Sequence, residues 1–139
     1  MKYPKNVLLI EDDEDDRDLF RAALKECCGA VDVKYESSGK SATNLLMDDR
    51  FVSPEIIFMD WVIPDYSGKD FLNLLRKTER FSNVPVVIIS DAIPEVVMKE
   101  VKDLTGIIFL SKPSVMADFV NKLKYIFTLD FEHFKNINI

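Results

Sequence analysis

Short apolar runs alternating with amphipathic stretches predict an α/β fold. The expected form is a doubly wound (βα)5 sandwich, a parallel five-stranded sheet of order 2-1-3-4-5 with helices on both faces. Three observations carry this. Val7-Leu8-Leu9-Ile10, Ile56-Ile57-Phe58-Met59, Val86-Val87-Ile88-Ile89 and Ile107-Ile108-Phe109-Leu110 are unbroken apolar runs, the pattern of strands buried on both faces of a parallel sheet. Each is followed by a stretch with helical apolar spacing. Each also ends on or beside a residue capable of chemistry: Glu11 and Asp12, Asp60, Ser90 and Lys112.

In chain order, the first strand runs into the acidic stretch Glu11 to Asp16. Acids in a first helical turn interact favourably with the helix dipole, by about 0.3–1 kcal/mol each, which accounts for Asp15 and Asp16 and extends to Asp13 and Glu14. The helix that follows buries Phe20, Ala23, Leu24 and Cys27, with Gly29 placed to end it. Val31, Val33 and Tyr35 alternate with Asp32, Lys34 and Glu36, as expected of an edge strand with one exposed face. A second helix over about 40–49 buries Ala42, Leu45 and Leu46. After the Asp60 strand comes a loop with Pro64 and Gly68. Ser67-Gly68-Lys69-Asp70 then reads as a capping box opening a helix that buries Phe71, Leu72 and Leu75. Val84 to Ile89 is the fourth strand, with Pro85 tolerated only near its start. Pro94 suits the first turn of a helix through Val97, Val101 and Leu104, closed near Gly106. Ile107 to Leu110 is the fifth strand, and a last helix over about 114–128 turns Phe119, Val120, Leu123 and Phe127 inward.

With 139 residues, 47% hydrophobic and 30% charged, the chain suits one soluble globular domain with a sizeable core. No apolar stretch approaches the roughly 18 residues that span a bilayer, and the opening residues lack the apolar core of a signal peptide. A cytoplasmic protein without membrane insertion is the expectation. A net charge of -6 argues against a nucleic-acid-binding face. The only cysteines, Cys27 and Cys28, are adjacent and read as free thiols near a helix end.

A parallel sheet brings its strand ends to one rim, and the first and third strands flank its switch point, so Glu11, Asp12 and Asp60 converge there. Three ionised carboxylates at about 4 Å repel by roughly 4 kcal/mol per pair at an effective dielectric near 20. Either one takes a proton or a divalent cation binds, and an all-oxygen, solvent-facing set favours Mg²⁺. A carboxylate beside Mg²⁺ can act as a nucleophile toward phosphorus and form an aspartyl phosphate, with Lys112 as a compact positive charge and Ser90 as a hydroxyl donor.

Leu8-Leu9-Ile10-Glu11-Asp12-Asp13, Met59-Asp60 with Pro64 and Gly68, Ile88-Ile89-Ser90, and Leu110-Ser111-Lys112-Pro113 fall in an order and spacing that resembles bacterial response-regulator receiver domains. The chain is similar to a stand-alone receiver of the chemotaxis-regulator kind over about residues 5–128. The resemblance implies Asp60 as phosphoacceptor, and Glu11, Asp12, Asp60 and the Val62 backbone carbonyl as the Mg²⁺ site. It further implies Ser90 and Lys112 as phosphoryl contacts, Ser90 and Phe109 as switch residues, and a cis Lys112–Pro113 bond. Phe109 reads equally as a core residue. The implied partners are a sensor histidine kinase or histidine phosphotransfer protein and a downstream protein. The domain division that follows is 1–128 as the receiver and 129–139 as a tail.

Several residues depart from the family pattern. Asp91 follows Ser90 where a small residue is usual, and an anion there repels an incoming phosphodonor. Val62 and Ala92 cannot orient attacking water, which implies a long-lived phosphoryl group. Phe109 lacks the hydroxyl of the common tyrosine. In the tail, Phe131, Phe134 and Ile137 either extend the last helix's apolar stripe toward a partner or second copy, or pack back on the domain. His133 reads as a surface residue. Two alternatives stand beside the switch reading. One is a receiver-like interaction module that is never phosphorylated; the other is a phosphohydrolase of the haloacid dehalogenase type, which needs a second acid at the position of Val62.

Overall fold

Strands form where the apolar runs are unbroken, and helices where the apolar period lengthens. The computed structural model describes residues 3–91, 94–130 and 136–139. In chain order it contains β1 (Asn6–Ile10), α1 (Glu14–Cys28), β2 (Asp32–Glu36), α2 (Gly39–Leu46), β3 (Ile56–Asp60), β4 (Val62–Ile63), β5 (Tyr66–Ser67), α3 (Gly68–Lys77), a 3₁₀ turn (Glu79–Phe81), β6 (Val86–Ser90), α4 (Pro94–Glu100), β7 (Ile107–Ser111), α5 (Met116–Ile126) and β8 (Ile137–Asn138). The main sheet has the order β2-β1-β3-β6-β7-β8, and every pairing in it is parallel. Because the β4–β5 hairpin takes two numbers, the first five strands are the expected 2-1-3-4-5. The sixth, β8, is an addition.

Side chains alternate across the sheet and build two cores. Leu8, Ile10, Met59, Ile88 and Phe109 face α2, α3 and α4, where Ala42, Leu46, Phe71, Leu75 and Val97 meet them. Val7, Leu9, Phe58, Ile89 and Leu110 face α1 and α5, packing on Phe20, Leu24, Phe119 and Leu123. β2 is half-exposed along its length, as its alternating sequence requires.

The helix ends have local causes. The Asp13 side chain caps α1 by accepting from the Asp16 amide at 3.0 Å, and Gly29, at φ 74°, closes it. The Ser67 hydroxyl accepts from the Asp70 amide at 3.3 Å and opens α3. α2 stops at Leu46, short of the expected 49, because the Arg80 guanidinium takes the carbonyls of Leu46, Asp48 and Phe51 at 3.1, 2.8 and 2.9 Å. α4 ends at Glu100 rather than near Gly106; Val96, Val97 and Val101 are β-branched, and tighter turns carry the chain to Leu104.

Arg76 ties α3 to the loops before β6 and β7. Its guanidinium donates to the Val84 carbonyl at 2.8 Å and the Thr105 carbonyl at 3.1 Å, with longer contacts of 3.4 Å to Phe81 and Gly106. Burial without a carboxylate partner pulls its pKa down to about 10. Arg76→Ala removes the donor to the Val84 and Thr105 carbonyls and costs about 3 kcal/mol in urea unfolding. A loss under about 0.5 kcal/mol, typical of a surface substitution, would refute this role.

The tail differs from a helical extension. α5 gives way at Phe127, and Ile137–Asn138 pairs with β7 as a strand, with the Ile139 amide donating to the Phe109 carbonyl at 2.8 Å. The Asn136 side chain anchors it, accepting from the Ile107 amide at 3.0 Å and donating to the Leu104 carbonyl at 2.9 Å. The physical reason is the open β7 edge, whose unpaired backbone groups a short alternating segment such as Ile137-Asn138-Ile139 can satisfy. Phe131, His133 and Phe134 lie outside the described residues.

Candidate functional site

The C-terminal ends of β1, β3, β6 and β7 deliver Glu11, Asp60, Ser90 and Lys112 to one rim, and Asp12 follows Glu11 on the turn into α1. One carboxylate oxygen from each of Glu11, Asp12 and Asp60 lies within 4.8 Å of the others. Glu11 is 5% exposed and Asp60 7%, whereas Asp12 faces solvent. Fixed donors orient these acids: the Val62 amide donates to Asp60 Oδ1 at 3.0 Å, and the Asp13 amide to Glu11 Oε1 at 3.1 Å. Arg17 clamps the β1–α1 turn by donating to the Glu11 carbonyl at 2.9 Å.

Lys112 closes the pocket. Its ammonium donates to Asp60 Oδ2 at 3.0 Å and to Asp16 Oδ2 at 2.9 Å, and its amide donates to the Ser90 carbonyl at 3.1 Å. Burial alone would lower the Lys112 pKa, but Asp16 and Asp60 outweigh it and hold the ammonium above its usual range. Glu11 goes the other way: burial pushes it up to about 8, the Asp60 charge adds to the rise, and the Asp13 amide opposes it.

The expected cluster of Glu11, Asp12, Asp60, Ser90 and Lys112 therefore shares one rim. Ser90 is buried and Phe109 fully so, the latter within the core on the α4 side. Asp91 is exposed beside Ser90, and Ala92 lies outside the described residues. The Lys112–Pro113 bond is trans, like every peptide bond among the described residues, not cis as the resemblance implies. Trans is the lower-energy form of an X–Pro bond.

Two functional features lie beyond the sequence pattern. The pattern marks Asp16 as a dipole-stabilising acid, yet three residues after the Asp13 cap its carboxylate reaches the rim and accepts from Lys112; that helical spacing is the signal for it. The loop after Asp60 is a hairpin, β4–β5. The Asp65 carboxylate at its turn accepts from the Gly39 and Lys40 amides at 3.0 and 3.1 Å, tying the hairpin to the start of α2. Backbones approach closely there: a Cβ on Gly39 would stand 2.2 Å from Tyr66 Cβ, and one on Gly68 2.8 Å from Trp61 Cε3.

Fold and pocket define a doubly wound α/β protein with an acidic, lysine-closed site at its topological switch point. Residues 7–124 match the model of the response regulator receiver domain, and the chain belongs to that family. It is 25% identical over 121 residues to the polar-differentiation response regulator DivK of Brucella anthropi, an alignment covering 87% of this chain and 94% of that protein. Among solved structures it resembles the phosphorylated cyanobacterial phytochrome response regulator RcpA, at a TM-score of 0.76 and 23% identity over 88% of this chain and 90% of that one. It also resembles the Mn²⁺-bound form of the response regulator Rcp1, at 0.76 and 21% over 95% and 98%. The chain is thus a response-regulator receiver of two-component signalling. No helix among the described residues is long and apolar enough to cross a membrane.

Proposed function

We propose that this receiver takes a phosphoryl group onto Asp60 from a histidine kinase or histidine phosphotransfer protein in a Mg²⁺-dependent reaction. It then acts as a signalling switch or phosphate shuttle in the cytoplasm, with 1–128 as the receiver unit and 129–139 as its tail. The observation that carries the reading is the setting of the Asp60 carboxylate. It lies 3.0 Å from the Lys112 ammonium and 3.0 Å from the Val62 amide, with Glu11 and Asp12 oxygens within 4.8 Å.

The donor set suits a hard divalent cation, since it offers carboxylate oxygens and one exposed flank where water completes an octahedron. Glu11, Asp12, Asp60 and the Val62 carbonyl would hold it. When bound, Mg²⁺ supplies the positive charge that offsets carboxylate repulsion and the charge developing on the phosphoryl oxygens. The chain's own groups do the rest. An Asp60 oxygen forms the new bond to phosphorus as the donor's P–N bond breaks, and the departing imidazole keeps the electron pair and takes a proton from solvent. The Lys112 ammonium and the Ser90 hydroxyl hold phosphoryl oxygens, and Ser90 passes the change to Phe109 across the neighbouring strands β6 and β7.

Intact-mass measurement after incubation with acetyl phosphate and Mg²⁺ tests this: the wild type gains one phosphoryl group and Asp60→Asn gains none. A gain that persists in Asp60→Asn would overturn the assignment. The phosphohydrolase alternative lacks its second acid, because the position is the exposed, apolar Val62. A module that is never phosphorylated would have no use for an assembled set of acids and lysine. Asp91 supplies a finer expectation. Removing its exposed charge in Asp91→Ala speeds modification by acetyl phosphate about two- to threefold; an unchanged rate would discard that role.

A further inference from the structure

Asp16 stands outside the set that the proposed function uses, yet it makes the shorter of the two Lys112 ion pairs, 2.9 Å against 3.0 Å. We infer that Asp16 is a positioning residue, which holds the Lys112 ammonium beside Asp60 and keeps it off Glu11; the inference rests on the phosphoacceptor reading of Asp60. Its own backbone is fixed, because the Asp16 amide donates to the capping Asp13 side chain at 3.0 Å. The carboxylate therefore projects from the rigid first turn of α1. Lys112, by contrast, hangs on a flexible four-carbon stem after the end of β7.

A neighbouring cavity explains why such a tether matters. Both partners of the Asp16–Lys112 bridge line a cavity of about 40 Å³, with Glu11 completing its polar side and Leu19, Phe20 and Phe119 among its apolar walls. An ammonium released from Asp16 can turn into this gap toward the Glu11 oxygens, because Glu11 lines it as well. Collapse onto Glu11 would withdraw the charge from the phosphoryl position and occupy an acid of the proposed metal site. On phosphorylation the anionic phosphoryl oxygens replace the Asp60 carboxylate as the acceptor on that side of Lys112, while Asp16 stays as its fixed acceptor on the other. With two of its three donors already directed, the ammonium keeps one for a phosphoryl oxygen.

The role is placement rather than charge alone, so the amide that still accepts a hydrogen bond should rescue it. In an acetyl phosphate time course followed by intact mass, Asp16→Ala slows modification roughly tenfold, while Asp16→Asn stays within about threefold of the wild type. Circular dichroism checks that both are folded. Nitrogen-15 NMR of the lysine ammonium groups provides an arm that does not depend on phosphorylation. The Lys112 signal, protected by its two acceptors, persists in Asp16→Asn and is lost to fast exchange in Asp16→Ala. A wild type that gains no mass would count against the phosphoacceptor reading, while the NMR arm would still decide the tether. An Asp16→Ala variant that matches or outpaces the wild type, an Asp16→Asn variant as slow as Ala, or an ammonium signal unchanged in Asp16→Ala would each overturn the inference.

Discussion

Glu11→Gln makes the metal-free protein more stable by about 3 kcal/mol at pH 8 and removes its response to Mg²⁺. The side chain is 5% exposed, and its carboxyl is pushed from the ordinary 4.5 up to about 8 by burial, with Asp60 adding to the rise. Between those two values the unfolded chain has released the Glu11 proton while the folded chain retains it. The folded state then binds more protons, so stability falls as pH rises through this window and levels off above it. Below about 4.5 the group is neutral in both states and contributes no such loss. Glutamine keeps the size and the acceptor for the Asp13 amide but has no charge to desolvate. Its advantage should therefore be small near pH 5 and largest near pH 8 in urea unfolding. Mg²⁺ adds the opposite slope. A cation must displace the retained proton, so its affinity for the wild type rises by up to about tenfold per pH unit until the carboxyl is ionised. An advantage of Gln that stays flat with pH, or a Gln variant that Mg²⁺ still stabilises, would remove Glu11 from the proposed metal site.

The same acid shows what the sequence could and could not convey. Strand-end positions were legible because a parallel sheet has one functional rim. Once Val7 to Ile10 and Ile56 to Met59 read as neighbouring buried strands, Glu11 and Asp60 had to meet. Repulsion among three carboxylates was equally legible, and the structure relieves it by leaving Asp12 in solvent, pairing Asp60 with the Lys112 ammonium and raising the Glu11 carboxyl to about 8, so that it keeps its proton at neutral pH. What escaped is set by contacts distant in sequence. Asp16 reads as a helix-dipole acid until its oxygen is seen 2.9 Å from a lysine 96 residues away. The β4–β5 hairpin is too short to show an alternating pattern, and its stability comes from Asp65 on the amides of α2. The sixth strand was illegible for the same reason. Ile137-Asn138-Ile139 alternates but is too short to announce a strand alone, and the open edge beside Phe109 and the two-sided grip of Asn136 make it one.

Lys112→Ala slows acetyl phosphate modification of Asp60 by about a hundredfold at saturating Mg²⁺, and Lys112→Arg does not restore it. The ammonium is the one cation in direct contact with Asp60 among the described residues, at 3.0 Å. As phosphorus transfers, negative charge must be matched where the phosphoryl oxygens come to rest, and a donor already fixed at that point needs no reorganisation. Alanine removes the donor and leaves Asp16 and Asp60 facing each other without their shared cation. Arginine keeps the charge but fails on shape. Its planar fork needs more width than an ammonium whose two acceptors stand at 2.9 and 3.0 Å, beside a gap of only about 40 Å³. The contrast with Asp16 separates two kinds of contribution. Losing the tether costs placement and is rescued by an amide, whereas losing the ammonium costs a compact charge that a guanidinium does not replace. A single-turnover mass time course reads both on one scale. If Lys112→Ala fell within a few-fold of the wild type, the ammonium would be a structural counter-ion to Asp60 and Asp16, and the charge needed in the transition state would have to come from elsewhere in the pocket.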